Sequence, residues 1–386
     1  MTEGLRGLFP GTQTHWAALD KPAPCALPRR GMATLVFADS TSAYDGRDLE
    51  RRPLGGTEAS VIRLVRELAA RGHAVAVHTK IAPDVEHEGV RWRSLSTAPD
   101  PCDVFVAIQQ PPLLDLAPQA RQRAIWVLWG ANQLRHYKHF WRLWRHRPIP
   151  ILMSQAQVRD YWPTLPRRGP LAVIPLPVPP DVRALTPLTS PPPPRAIFAS
   201  NPQRNLKPLV EIWGRSILPR VPNAVLDVYG VHNLADGQDA WTEWAGALLP
   251  AGMPDAVQAS VRVHPTAPRT DLLTAMRDAR AMLYLSHKCE AFCLSLAEAQ
   301  ALGTPAVIAP VAAAAERVIE GVTGFQRADP AAFADAAVRL LTDDDLWRRQ
   351  HAAALELQQG LTCAAYAERF ERVLLGPSRE DVLVAA

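Results

Sequence analysis

Cysteine is scarce and scattered. The five residues, Cys25, Cys102, Cys289, Cys293 and Cys363, form no CxxC pair. An odd set without ligand spacing argues against a disulfide framework and a structural zinc site, and makes a reducing cytoplasm the expected setting. Long apolar runs are missing too. No stretch of about 18 apolar residues occurs, so no membrane-spanning helix is expected. The start "MTEGLRGLFPGTQTHW" lacks the apolar centre of an export signal. Net charge is small, formally +4, too little to point to nucleic acid unless the cations cluster. No internal repeat of fixed period is seen.

Proline, by contrast, is abundant, with 37 residues. Its densest cluster, "PLPVPPDVRALTPLTSPPPP" at 175–194, reads as a stiff interdomain linker. The 386 residues suffice for two domains of ordinary size. Before the cluster, the β-branched runs "TLVFADS", "AVAVHTK", "DVFVAIQ" and "AIWVLWG" are interleaved with a helical pattern from Thr57 to Arg71. After it, "RAIFAS", "AVLDVYG", "SVRVHPT", "AMLYLS" and "PAVIAP" alternate with helical stretches near 207–218, 269–279 and from Ser295. Such alternation predicts parallel sheets covered on both faces, hence an α/β chain with two doubly wound, Rossmann-like domains. The expected boundaries are a first domain at 1–180, a linker at 181–194 and a second domain at 195–361. A C-terminal helix and tail at 362–386 are free to return to the first domain. Ligands of such sheets bind beyond the carboxyl ends of the strands, so a cleft between the domains is the place to seek function.

One stretch there is unusual, "CEAFCLSLAEAQALGTPAVIAP" at 289–310, with Glu290 and Glu298 on either side of an apolar run. On one continuous helix the two carboxylates would stand about 12 Å apart along the axis. A later start is more economical: Ser295 followed three residues on by Glu298 has the form of a capping box, which leaves Glu290 in the preceding loop. Capping alone would account for Glu298, and a solvated loop for Glu290. The alternative is a binding role, since carboxylates accept hydrogen bonds from sugar hydroxyls and a helix N-terminus suits a diphosphate.

The stretch resembles the retaining glycosyltransferases of the GT-B fold, family four, whose signature is Glu, seven residues, Glu, then "EA.A.G.P.V". The resemblance implies two Rossmann-like domains facing a central cleft. It also implies transfer of a sugar from a nucleotide-sugar donor, a UDP- or GDP-sugar first, to a glycan, glycolipid or protein acceptor. The expected setting is cell-surface glycan or glycolipid synthesis. Glu298 would hold the donor ribose and Glu290 would face the donor sugar. Arg204, in "FASNPQRNLKPLV", best matches the basic phosphate-binding position, and Lys207 is a second basic candidate. Ser200, Asn201, Phe292, Cys293 and Leu294 complete the expected donor side. Gly55 and Gly56, in "PLGGTEAS", resemble the loop that opens the acceptor domain, with Thr57 as a helix cap. No metal or other cofactor is expected, because basic groups and backbone amides would meet the leaving diphosphate.

Two departures stand out. Relatives usually have glycines beside the phenylalanine, where this chain has Ala291 and Cys293. They also commonly have a histidine after the strand "AIWVLW", where this chain has Gly130, Ala131 and Asn132, with His136 further on. These departures keep open a second reading, a donor-binding partner subunit without turnover.

The sharpest local charge anomaly is "NQLRHYKHFWRLWRHRP" at 132–148. At helical spacing Leu134, Tyr137, Trp141 and Trp144 form one flank, and Arg135, Lys138, Arg142 and Arg145 the next. The pattern fits a core-packed helix with snorkelling arginines. It also suits an anionic, lipid-linked acceptor or an anionic membrane surface met through 135–147, and the latter would make the protein peripheral at the inner face of a membrane.

Overall fold

The computed structural model describes residues 32–52, 54–230, 252–264 and 267–376. The first sheet comprises β1 (Thr34–Ala38), β2 (Ala74–Thr79), β3 (Val85–His87), β4 (Val90–Ser94), β5 (Val104–Ile108), β6 (Gln122–Trp126), β7 (Ile149–Leu152) and β8 (Ala172–Val173). Their order is β3-β4-β2-β1-β5-β6-β7-β8. All neighbours are parallel except the β3–β4 pair. β5, "VFVAI", is buried at every position, as a parallel strand covered on both faces requires. The β3–β4 hairpin was not expected. Its turn, Glu88 and Gly89, lies at positive φ, and only Val90 and Trp92 give it a buried alternation.

Helices α1 (Asp48–Arg51), α2 (Gly56–Ala70), α3 (Tyr137–His146) and α4 (Gln155–Asp160) connect these strands. A short helix, α5 (Pro180–Arg183), follows. It lies inside the proline-rich stretch, which is seated rather than loose at this end. Val178 and Val182 are buried in the second core, and the Val178 amide donates to the Leu361 carbonyl at 2.8 Å.

The second sheet is wholly parallel: β9 (Arg195–Ala199), β10 (Val225–Tyr229), β11 (Val261–His264), β12 (Ala281–Tyr284), β13 (Ala306–Ile308) and β14 (Gly324–Gln326). Its order is β11-β10-β9-β12-β13-β14. The helices of this half are α6 (Leu206–Ile212), α7 (Asp255–Ser260), α8 (Arg269–Asp278), α9 (Leu294–Ala301), α10 (Pro330–Thr342) and α11 (Asp344–Leu357). Asp329 and Asp343 cap α10 and α11 through bonds to backbone amides.

The last helix, α12 (Cys363–Leu375), returns to the first domain. Tyr366 and Phe370 enter that core, with the Phe370 ring edge-on to Trp126 at 5.1 Å. At the helix rim, Arg71 donates twice to Glu371, at 2.6 and 2.7 Å, and His73 Nε2 lies 3.0 Å from the same carboxylate. Burial alone would raise the Glu371 carboxyl, but the Arg71 and His73 bonds outweigh it and hold it below its ordinary value. A depressed carboxyl stabilises the fold above its unfolded pKa and loses that contribution as pH falls through the folded one. Glu371→Gln should therefore cost about 1 kcal/mol at neutral pH, as a forked charge-assisted pair suggests. That difference should shrink as pH falls below about 4.3. Urea unfolding of both proteins across this range checks it, and a gap that persists at low pH would assign the effect to packing.

Candidate functional site

The carboxyl ends of β9 and β12 bring two loops together. β9 runs into Ser200 and Asn201, where Asn201 Oδ1 accepts from the Gln203 amide at 2.9 Å and turns the chain toward α6. Asn205 adopts a left-handed conformation, φ 63°, which asparagine tolerates better than most residues. Its side-chain amide donates to the carbonyls of Leu285 and Ser286 at 2.6 and 2.8 Å. The two loops are thereby laced at fixed spacing.

Glu290 sits where they meet. Its Oε2 accepts from Arg204 Nη1 at 2.6 Å and from the Tyr284 hydroxyl at 2.7 Å, and its Oε1 from the Cys293 amide at 3.0 Å. The side chain is only 8% exposed, so Glu290 is no solvated loop residue. Three donors meet the cost of burying this carboxylate. Burial, with the Cys293 thiol and the Glu290 carboxylate next in weight, pushes the Tyr284 phenol far above its ordinary value and keeps it a donor. Burial would lower Arg204, but Glu290 and Tyr284 outweigh it and raise it. Burial, then Glu290, raises the Cys293 thiol.

The expected capping box is not formed. α9 starts at Leu294 and its N-cap is Cys293, at φ 66°, with no side-chain cap. Ser295 lies inside the helix, and Glu298 stands at its fifth position, two residues beyond the one a capping box uses. The sharp turn at Cys293, held by the bond from its amide to Glu290, sets the start earlier than the Ser-x-x-Glu pattern indicates. Glu298 is instead 5% exposed and accepts from Arg269 Nη2 at 2.7 Å. The Arg269 guanidinium also clasps Asp181, through Nε to Oδ2. Burial opposes the Arg269 charge, but Glu298 and Asp181 outweigh it and push its pKa up. From the first domain, Arg63 of α2 faces the same group. Burial lowers its pKa, and the neighbouring Arg269 charge lowers it further.

The other expected residues fall in different places. Gly55 is the N-cap of α2, and that helix starts at Gly56, so Thr57 lies inside it and does not cap. A Cβ on Gly56 would meet Leu294 Cδ2 at 3.5 Å, which sets the first-domain loop against the start of α9. Phe292 is buried, with the Arg317 guanidinium 4.4 Å over its ring, and joins Ala291 in the core of the first domain. Its ring therefore seals the contact between the domains. Ser200 is buried and lies by the Tyr284 hydroxyl. Lys207 is exposed on the first turn of α6 and is not joined to the Glu290 group. His136 is exposed, with its ring 5.1 Å from Tyr137.

Tyr284, Arg269, Asp181 and Arg63 were not singled out from sequence. Only Tyr284 carried a signal, as the one polar tip in the apolar strand "AMLY". Among the described residues, one set of histidine and carboxylate atoms is close enough to share a cation: Glu50, His87 and Glu88 of the first domain. Arg66 already pairs with both of those glutamates.

Residues 194–343, which span both loops, match the family described as glycosyl transferases group 1. A D-inositol 3-phosphate glycosyltransferase of Frankia alni is 43% identical over 95 residues, 24% of this chain and 23% of that relative. The Corynebacterium diphtheriae protein of the same name is 40% identical over 95 residues, 24% of this chain and 22% of that one. The match thus spans under a quarter of the relatives' length. Solved structures cover far more. Sucrose-phosphate synthase from Thermosynechococcus elongatus superposes with TM-score 0.65 at 16% identity, over 92% of this chain and 100% of that one. WaaG, a glycosyltransferase involved in lipopolysaccharide biosynthesis, gives 0.63 at 15% identity, over 89% and 100%. Anabaena Alr3699/HepE in complex with UDP and glucose gives 0.61 at 14% identity, over 89% and 100%. The fold is GT-B. The GT-B chain carries its group 1 match on the half that holds Arg204, Glu290 and Glu298.

Proposed function

We propose that this protein is a retaining glycosyltransferase, acting in the cytoplasm, that moves a sugar from a UDP- or GDP-sugar to an acceptor hydroxyl in glycan, glycolipid or protein glycosylation. The observation that carries the reading is the Arg204–Tyr284–Glu290 cluster at the carboxyl ends of β9 and β12, inside the matched region. Arg204 is 38% exposed although paired, so its remaining guanidinium N–H groups are free to meet a diphosphate. The first amides of α9 and the positive end of its dipole add to that charge. Glu290 fixes Arg204 and offers its rim to a sugar hydroxyl. Glu298 holds the ribose, and Arg269 keeps its carboxylate aimed. Charge that develops on the leaving diphosphate is then met by preorganised donors that need not reorganise during reaction. On this reading no metal is required, so a chelator should leave the rate unchanged.

A thermal-shift panel of UDP-, GDP-, ADP- and CMP-sugars tests it. The cognate donor at about 100 times its Kd should stabilise the fold by about 2.7 kcal/mol, and Glu298→Gln should weaken that donor about tenfold while costing the unliganded fold only about 1 kcal/mol, since the amide oxygen still accepts from Arg269 and Arg269 keeps Asp181. No stabilisation by any donor would overturn the reading. A donor-binding subunit without turnover is the second reading, favoured by the outward His136. Donor binding with neither hydrolysis nor transfer would select it.

A further inference from the structure

Helix α3 turns four large aromatic side chains toward solvent. Tyr137, Phe140, Trp141 and Trp144 recur at the spacing of one helix face and are 85%, 47%, 62% and 49% exposed. The Trp141 and Trp144 rings stack at 5.2 Å, making a continuous apolar ledge. What holds the helix lies on its other side. Leu143 is buried in a core cluster with Leu114 and Leu134, and Arg142 and His146 bond Asp115 at 2.6 and 2.8 Å. Two details differ from the sequence pattern. Leu134 is buried in the turn before the helix, off the aromatic flank, and Arg142 is neutralised by Asp115.

The charges left on this side are all positive. Lys138 and Arg145, about one residue step round the helix from the aromatic face, are exposed and have no ion-pair partner among the described residues. No aspartate or glutamate occurs in the sequence between Asp115 and Asp160. An exposed aromatic ledge bordered by unneutralised cations complements one environment, the boundary between anionic headgroups and acyl chains. There amphipathic aromatic rings are wetted at one edge and cations meet phosphates.

We propose that α3 seats the protein on an anionic phospholipid bilayer. Tyr137, Phe140, Trp141 and Trp144 enter the headgroup level, and Lys138 and Arg145 pair with lipid phosphates. The seating is independent of the sugar-transfer reading, since it uses none of the residues of the Glu290 cluster.

Co-sedimentation of the full chain with vesicles of phosphatidylcholine, alone or mixed with phosphatidylglycerol, tests it. Binding should be confined to the mixed vesicles and should weaken as salt rises. Lys138→Gln with Arg145→Gln should reduce partitioning about 30-fold, roughly fivefold per cation. Trp141→Ser with Trp144→Ser should reduce it at least about tenfold even at low salt. Both pairs change exposed side chains, and an unchanged unfolding midpoint confirms that each variant is folded. No binding at low salt, equal binding to neutral vesicles, or variants that sediment like wild type would overturn the proposal. A concentration-dependent dimer that the serine pair abolishes, without vesicle binding, would also overturn it and assign the ledge to a second copy of the chain.

Discussion

Arg204→Ala should lower the rate of sugar transfer by about 10²–10³, the effect of removing one charge-stabilising donor from a preorganised site. The expected loss in folding stability is smaller, about 1–2 kcal/mol, the penalty for weakening a hydrogen bond to a charged group. Two features keep it small. Arg204 is itself part-exposed, and Glu290 retains the Tyr284 hydroxyl and the Cys293 amide as donors. Arg204→Lys should recover only part of the rate, because an ammonium restores the charge but cannot bond Glu290 and a phosphate oxygen with a planar fork. Steady-state kinetics with the cognate donor decide the matter. A rate for the alanine variant within about threefold of wild type would be far below the expected effect and would move the phosphate role to Lys207 or to the first amides of α9.

The architecture was legible because each half of the chain repeats short buried runs that only a covered parallel sheet accommodates. "VFVAI" and "RAIFA" are strands at the positions their patterns predict. The β3–β4 hairpin, β7, β8 and β14 escaped because "VEH", "VRWRS", "IPIL", "AV" and "GFQ" are very short or broken by charge, proline or glycine, and lack the uninterrupted apolar run of "VFVAI". In the site, the glutamate pair and Arg204 were legible from spacing and resemblance, but their partners were not. Arg269 lies 29 residues from Glu298, and Tyr284 is one apolar-looking strand residue whose hydroxyl matters only once Glu290 is folded against it. The capping box was misread for a related reason. Its four-residue pattern is satisfied locally, yet a long-range bond network places the turn at Cys293, and tertiary contacts override local propensity in such competition. The aromatic helix was legible as a helix, but which side faced solvent depended on Leu143 and on the anchorage of Arg142 by Asp115.

Glu290→Ala should damage fold and site together, costing about 3 kcal/mol of stability along with donor binding and transfer. The buried Tyr284 hydroxyl and the Cys293 amide lose their acceptor, and Arg204 loses its counter-charge. The figure sits at the low end for breaking a buried pair because Arg204 can turn toward water, whereas Tyr284 and the Cys293 amide cannot. Glu290→Gln separates the two jobs of this side chain. Its carbonyl oxygen keeps one acceptor for Tyr284 or the Cys293 amide, so the stability loss should fall to about 1 kcal/mol. The ion pair that fixes Arg204 is gone in both variants, so the transfer rate should drop in both. Urea unfolding measures the first quantity and initial-rate kinetics the second. If the glutamine variant transfers sugar at the wild-type rate, the carboxylate charge has no part in catalysis. Glu290 would then serve the site only as the buried acceptor that holds the β12 loop and the start of α9 in register.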